Sequence, residues 1–133
     1  MLPPKIRVLL ADDNDQMREY VRKFVSSDGC KVVGVAGDGQ AAVESAAKLR
    51  PDVLVLDISM PRLNGIEAAK LMKEANPSTR IVFLTVENDP DMCRAALDTG
   101  ACCYVLKARL ATDLIPAIKA ARDGVRFVSS GCR

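Results

Sequence analysis

Val53-Leu54-Val55-Leu56-Asp57 is the stretch that decides the fold. Four apolar residues in a row, with no polar residue between them, suit a strand buried on both faces, as in a parallel sheet covered by helices. An aspartate then follows with no polar transition, although a carboxylate beside a buried strand loses hydration. A parallel strand needs parallel neighbours. Runs of the same kind stand at Ile6 to Ala11, Lys31 to Ala36, Arg80 to Thr85 and Cys103 to Leu106.

Between these runs, Gln16 to Val25, Gln40 to Leu49, Ile66 to Ala75, Met92 to Asp98 and Leu114 to Arg122 place apolar residues three and four apart, the period of amphipathic helices. Asp28-Gly29, Gly37 to Gly39, Arg50-Pro51, Asn76-Pro77, Thr99-Gly100 and Asp123-Gly124 supply turn chemistry at the junctions. Alternating strands and helices with short connections predict an α/β fold, a five-stranded parallel sheet of order 2-1-3-4-5 with five helices on both faces. Residues 1–125 are expected to form this domain, and 126–133 a tail, frayed or the start of a linker.

The bulk properties exclude several functions. A chain of 133 residues, 49% of them hydrophobic, is long enough for one core and too short for two ordinary domains. Its formal charge of +2 is spread along the chain, which argues against direct nucleic-acid binding. No apolar run reaches the length of a bilayer span, and Met1 to Lys5 does not read as a secretory signal, so a cytoplasmic protein without membrane contact is expected. Histidine is absent, which removes triad chemistry and histidine-phosphate intermediates. The five cysteines form no CxxC pair. Cys30, Cys93, Cys102 and Cys103 read as small hydrophobes in a reducing compartment, and Cys132 as an exposed free thiol.

In an open parallel sheet, ligands bind beyond the carboxyl ends of the strands. There the sequence places Asp12-Asp13, Asp57, Thr85 and Lys107. Strands one and three adjoin in the predicted order, so Asp12, Asp13 and Asp57 converge, and a hard cation such as Mg²⁺ would relieve their repulsion. Taken singly, Asp12 reads as a helix cap, Asp57 as a loop acid and Lys107 as a solvated charge. Taken together at four strand ends, they suit phosphoryl transfer to Asp57, with Thr85 and Lys107 binding the phosphoryl oxygens.

With those residues in place, the sequence resembles the receiver domains of bacterial two-component response regulators from about Lys5 to Val128. The resemblance rests on Val8-Leu9-Leu10-Ala11-Asp12-Asp13-Asn14, Pro51 to Pro61, Asn64-Gly65, Thr85 and Tyr104-Val105-Leu106-Lys107. Within the family, Ile6 to Asp13, Val33-Gly34-Val35-Ala36 and Asp123-Gly124-Val125-Arg126-Phe127 are most similar to receivers that precede a LuxR-type helix-turn-helix. The likeness implies a flavodoxin-like receiver fold with Asp57 as phosphoacceptor. It implies Mg²⁺ bound by Asp13, Asp57 and the main-chain carbonyl of Ser59, with Asp12 reaching it through water. Tyr104 would be a rotamer switch that moves inward as Thr85 is drawn to the phosphoryl group, changing the surface of the fourth helix, fifth strand and fifth helix. The expected partner is a histidine kinase or phosphotransfer protein, a homodimer is allowed, and the output is transcription. No DNA-binding segment follows Arg133, so an excised or stand-alone receiver is expected.

Two departures from the family pattern bear on rate and geometry. Val86 replaces the small residue common after Thr85 and is expected to narrow the approach to Asp57 and slow phosphotransfer. Ala108 replaces a frequent proline, and because a cis bond here costs roughly 2.5–4 kcal/mol the Lys107–Ala108 peptide is expected to be trans. Ser59 and Glu87 flank the site and are expected to tune hydrolysis.

Other features carry no function in this reading. Gly34, Gly37 and Gly39 lack the GxGxxG spacing and read as turn or packing glycines. Cys102 and Cys103 should point to opposite faces, which disfavours a redox pair. Pro116 falls in the first turn after Thr112, where its missing amide costs little. A haloacid-dehalogenase type phosphatase would need an acid where Ser59 stands. A receiver-like binding module that works without phosphorylation is the main alternative.

Overall fold

The computed structural model describes residues 5–26 and 29–129, and the strands it contains all lie in one parallel sheet. The elements run β1 (Ile6–Ala11), α1 (Asp15–Ser26), β2 (Cys30–Ala36), α2 (Gly39–Leu49), β3 (Val53–Leu56) and α3 (Gly65–Ala75). They continue with β4 (Arg80–Thr85), α4 (Pro90–Leu97), β5 (Cys103–Leu106), α5 (Leu110–Arg122) and β6 (Phe127–Val128). The sheet order is β2-β1-β3-β4-β5-β6, the predicted order extended by one strand.

Strand alternation sorts the core into two layers. Leu9, Leu54, Leu56, Phe83 and Tyr104 face α2, α3 and α4, while Val8, Leu10, Val53, Val55, Val82 and Val105 face α1 and α5. All four residues of β3 are buried, which is why its sequence lacks alternation. The register pairs Leu10 with Val55 and Ala11 with Leu56, so the residues after β1 and β3 leave the sheet side by side. Gly34 lies inside β2, closely packed against Leu49 and Leu9, in keeping with a packing role.

Apart from shifts of one or two residues at element ends, such as α4 beginning at Pro90 and not at Met92, the structure departs from expectation in four places. Phe127–Val128 forms β6, pairing with Cys103 and Tyr104, where the sequence predicts a tail. Two residues cannot display a periodicity, so this strand is legible only from its contacts. The last four residues, including Cys132 with its expected exposed thiol, lie outside the described residues. Helix α5 begins at Leu110, after a single 3₁₀ turn at Lys107–Arg109, and not at Leu114. Thr112-Asp113 resembles a cap, but the Asp113 side chain turns inward instead. Pro116 therefore sits inside the helix, on its exposed face, and not in its first turn, so its missing amide removes a helical hydrogen bond and is not the cheap substitution expected.

The fourth difference concerns the thiols. Cys30, Cys93 and Cys103 are buried and Cys102 is half-buried, and these four are free. Cys102 precedes β5, so strand alternation does not govern it. Both Cys102 and Cys103 donate to the Val125 carbonyl, at 3.0 and 3.6 Å, on the same side of the sheet. Burial, with Cys102 alongside, pushes the Cys103 thiol up to about 12 and keeps it protonated. No helix among the described residues is long and apolar enough to cross a membrane. The Lys107–Ala108 peptide is trans, as expected for a non-proline residue.

Candidate functional site

The main chain carries the first acids out of the sheet. Asp12 N donates to the Ala36 carbonyl at 3.1 Å and Asp57 N to the Ala11 carbonyl at 3.0 Å, extending the ladders by one bond beyond β1 and β3. Asp12 and Asp57 are buried, with 7% and 5% of their surface exposed, while Asp13 is open to solvent. One carboxylate oxygen from each of the three lies within 4.8 Å of the others. This set of hard oxygen donors fits a small divalent cation that keeps part of its water shell.

Lys107 follows β5 and reaches across to both buried acids. Its Nζ lies 2.7 Å from Asp12 Oδ2 and 3.1 Å from Asp57 Oδ2. Burial would lower the lysine pKa, but its bond to Asp12 and the charge of Asp57 outweigh that and raise it, so the ammonium is firmly charged. Burial raises the Asp57 pKa above the ordinary carboxylate value and the Asp12 charge adds to the rise, against the pull of Lys107. Asp57 is thus an acid whose ionised form is costly until cations surround it.

Local capping holds this geometry. Asp12 Oδ1 accepts from Asn14 N at 2.9 Å, and Asn14 Oδ1 accepts from Met17 N at 2.9 Å, so Asn14 caps α1 and leaves the second Asp12 oxygen to Lys107. Arg18 donates to the Asp12 carbonyl at 2.7 Å, a support that nothing in the local sequence pattern announces. After Asp57 the chain turns back to α3 through Gly65, whose amide donates to the Ile58 carbonyl at 2.8 Å. A Cβ at Gly65 would collide with the Asp57 carbonyl oxygen, and Asn64 with Glu67 forms a capping box at the helix start. The Asn64-Gly65 pair is therefore the hinge that lets α3 start directly beneath the acid. Ser59 is exposed in this turn, two residues past Asp57.

Thr85 is fully buried at the end of β4, paired in register with Leu106, the residue before Lys107. Its hydroxyl accepts from Glu87 N at 3.2 Å. Tyr104 is also fully buried, and its hydroxyl donates to the Glu87 carbonyl at 2.7 Å. The Glu87 main chain thus joins the threonine to the tyrosine. A ring that moves inward is expected at Tyr104, and it already lies inward here, against Phe83. Val86 between them is 74% exposed.

Residues 8–119 match the response regulator receiver domain family. The chain belongs to that family. The receiver is 42% identical over 121 residues to an uncharacterised transcriptional regulatory protein of Bacillus subtilis, YxjL, covering 90% of this chain and 56% of YxjL. A two-component response regulator of the LuxR family from Aurantimonas sp. SI85-9A1 superposes with a TM-score of 0.92 at 29% identity, covering 96% of this chain and 92% of that one. The isolated receiver of RcsB from Salmonella enterica, solved with the phosphomimetic beryllofluoride, gives a TM-score of 0.88 at 32% identity over 96% of each chain. The chain spans somewhat more than half the length of the curated relatives it matches. Its relatives are mostly transcriptional regulators, including LuxR-type ones, and the fold is the flavodoxin-like receiver fold.

One polar cluster beside the receiver's site is absent from the sequence reading. Ser129 is 1% exposed. Its hydroxyl donates to Asp113 Oδ2 at 2.8 Å and accepts from Leu106 N at 3.1 Å, while its amide donates to the Tyr104 carbonyl at 2.9 Å. Arg109 completes the cluster through Asp113 Oδ2 at 2.9 Å. Burial works against the Asp113 carboxylate, but the bonds from Ser129, Arg109 and Thr112 prevail and hold its pKa low. Ser129→Ala would leave the buried Leu106 amide unpaired, and a loss of about 1–2 kcal/mol is expected in urea unfolding. Only the Arg109–Asp113 pair, four residues apart, can be anticipated from sequence. Ser129 meets its partners across the fold.

Proposed function

We propose that this receiver takes a phosphoryl group on Asp57 and passes the change to the surface of α4, β5 and α5, thereby controlling a downstream output, most simply transcription. The observation that carries the reading is the convergence of Asp12, Asp13, Asp57 and Lys107 from three strand ends onto one point. An ionised Asp57 oxygen attacks the phosphorus of an acyl phosphate or phosphohistidine donor. The bond from phosphorus to the leaving oxygen or nitrogen breaks, and the product is an aspartyl phosphate. Lys107 is charged throughout and is placed to bind a phosphoryl oxygen while remaining paired with Asp12.

Asp13, Asp57 and the Ser59 carbonyl would hold Mg²⁺, with Asp12 reaching it through water. When bound, the ion would neutralise the acids and the charge that develops on the phosphoryl oxygens. The domain then acts as a substrate in its pathway and loses its phosphate by hydrolysis, with Ser59 and Glu87 tuning that loss. Val86 slows the approach of the donor. A histidine kinase or phosphotransfer protein is the partner in this reading, and a homodimer is an allowed assembly, since RcsB dimers have been seen on DNA. The receiver proper extends through β6 to Ser129, which is buried and bonded to Asp113, and the cytoplasm is the compartment.

The switch runs through Thr85. A hydroxyl drawn toward the phosphoryl group gives up Glu87 N, and the Glu87 carbonyl that anchors Tyr104 then shifts. Thr85→Ala is expected to accept beryllofluoride at Asp57 but to lose most of the amide shift changes around Met92 to Thr99 and Tyr104. Equal responses in native and Thr85→Ala proteins would exclude this route. A second reading, a binding module that ignores phosphorylation, draws on the inward Tyr104, which gives the surface one preset form. It expects no beryllofluoride response in those amides even in the native protein.

A further inference from the structure

The amino ends of β4 and β5, the opposite end of the sheet from Asp57, border a hollow of about 340 Å³. Lys73 from α3, Arg80 from the start of β4 and Arg126 before β6 line it, with Pro77, Gly100 and Gly124. These cations are scattered in sequence and brought together only by the fold. Among the described residues, none of the three forms an ion pair with an acid.

The turns shape the hollow. Gly100 and Gly124 both have positive φ, 96° and 73°, and contribute no side chain to fill the space. A Cβ at Gly100 would stand 2.7 Å from Lys73 Nζ, so the ammonium lies directly over this turn. A Cβ at Gly124 would lie 3.8 Å from an Arg80 guanidinium nitrogen. Two turns and two cations therefore meet across one opening, with the third cation beside Gly124.

Three unpaired positive side chains around one concavity repel each other and favour a compact anion carrying several charges. Guanidinium forks match phosphate oxygens in pairs, and a lysine ammonium adds a point charge. The space exceeds a single phosphate and lies at the small end of ligand pockets, roughly 300–1,000 Å³. We propose that this hollow binds a pyrophosphate group, free or within a nucleotide, at a site separate from Asp57.

The test is a titration of the full chain, labelled with nitrogen-15, in metal-free buffer at constant ionic strength. The probes are sodium pyrophosphate, ADP and citrate. Pyrophosphate is expected to give saturating shifts at the amides of Ile81, Gly100 and Gly124. Lys73→Gln/Arg80→Gln is expected to weaken it by about tenfold or more, the size of one lost charge-assisted hydrogen bond. Arg126→Gln should weaken it in the same direction, and Asp57→Asn should leave it unchanged. ADP binding more tightly than pyrophosphate assigns the group to a nucleotide, and ADP binding no more tightly assigns it to the free anion. The proposal is overturned by shifts that do not saturate, by citrate binding as tightly as pyrophosphate, or by native affinity in both folded charge variants.

Discussion

Asp13→Ala protein is expected to bind Mg²⁺ about tenfold more weakly than native protein or worse, the loss of one charged contact of roughly 1.5–3 kcal/mol. Asp13 is the exposed member of the acid cluster and Lys107 does not reach it, so its carboxylate is the one not yet neutralised from within the protein. Asp12 and Asp57 already share the lysine charge. Removing Asp13 therefore takes away the acid with the most negative charge to offer a cation, while disturbing the buried pair least. Titration calorimetry on the two proteins checks this. Equal affinities would place the ion elsewhere or require ligands from outside the cluster.

Asp57→Asn is expected to raise stability in the absence of metal, contrary to the usual effect of changing a buried polar residue. Burial lifts the Asp57 pKa in the folded protein above its unfolded value, and Asp12 adds repulsion that Lys107 only partly offsets. The folded chain thus binds this proton more tightly than the unfolded chain does. Native stability is free of the penalty below the unfolded pKa of about 4 and falls as pH rises through the raised folded value. Asparagine has no such titration. Its advantage should be small near pH 4, grow through the raised folded value, and be complete at higher pH. There the melting temperature should be higher than that of native protein. Urea midpoints in EDTA across that range test the sign, and an advantage that shrinks with rising pH would contradict it.

The parts of the site that sequence reveals are those fixed by one strand and the residue after it. Val53 to Leu56 could be read as doubly buried, and once β1 and β3 are neighbours, Asp12, Asp13 and Asp57 must emerge together. Lys107 follows from the same logic at β5. The expected strands and helices form, because each carries its own period. Most ends shift by a residue or two, as where Asp89 caps α4 locally at Pro90, and the largest shift comes where a side chain serves a distant partner. Asp113 resembles the beginning of a helix but is turned in toward Ser129, so α5 starts a turn earlier. The tie between Thr85 and Tyr104 could not be read, because it passes through the main chain of Glu87 and main-chain positions in a loop leave no mark on residue identity. β6 and the Lys73, Arg80 and Arg126 cluster were hidden for a related reason. β6 meets its partner β5, and Arg126 meets Lys73 and Arg80, only across the fold, and none of these residues is unusual alone.

Intact-mass measurement after incubation with acetyl phosphate and Mg²⁺ tests Asp57 as the proposed acceptor of the phosphoryl group. Native protein should gain the mass of one phosphoryl group, chelating the metal should suppress the gain, and Asp57→Asn protein should gain nothing. A phosphoryl adduct on Asp57→Asn protein, or none on native protein that binds Mg²⁺, would contradict the assignment.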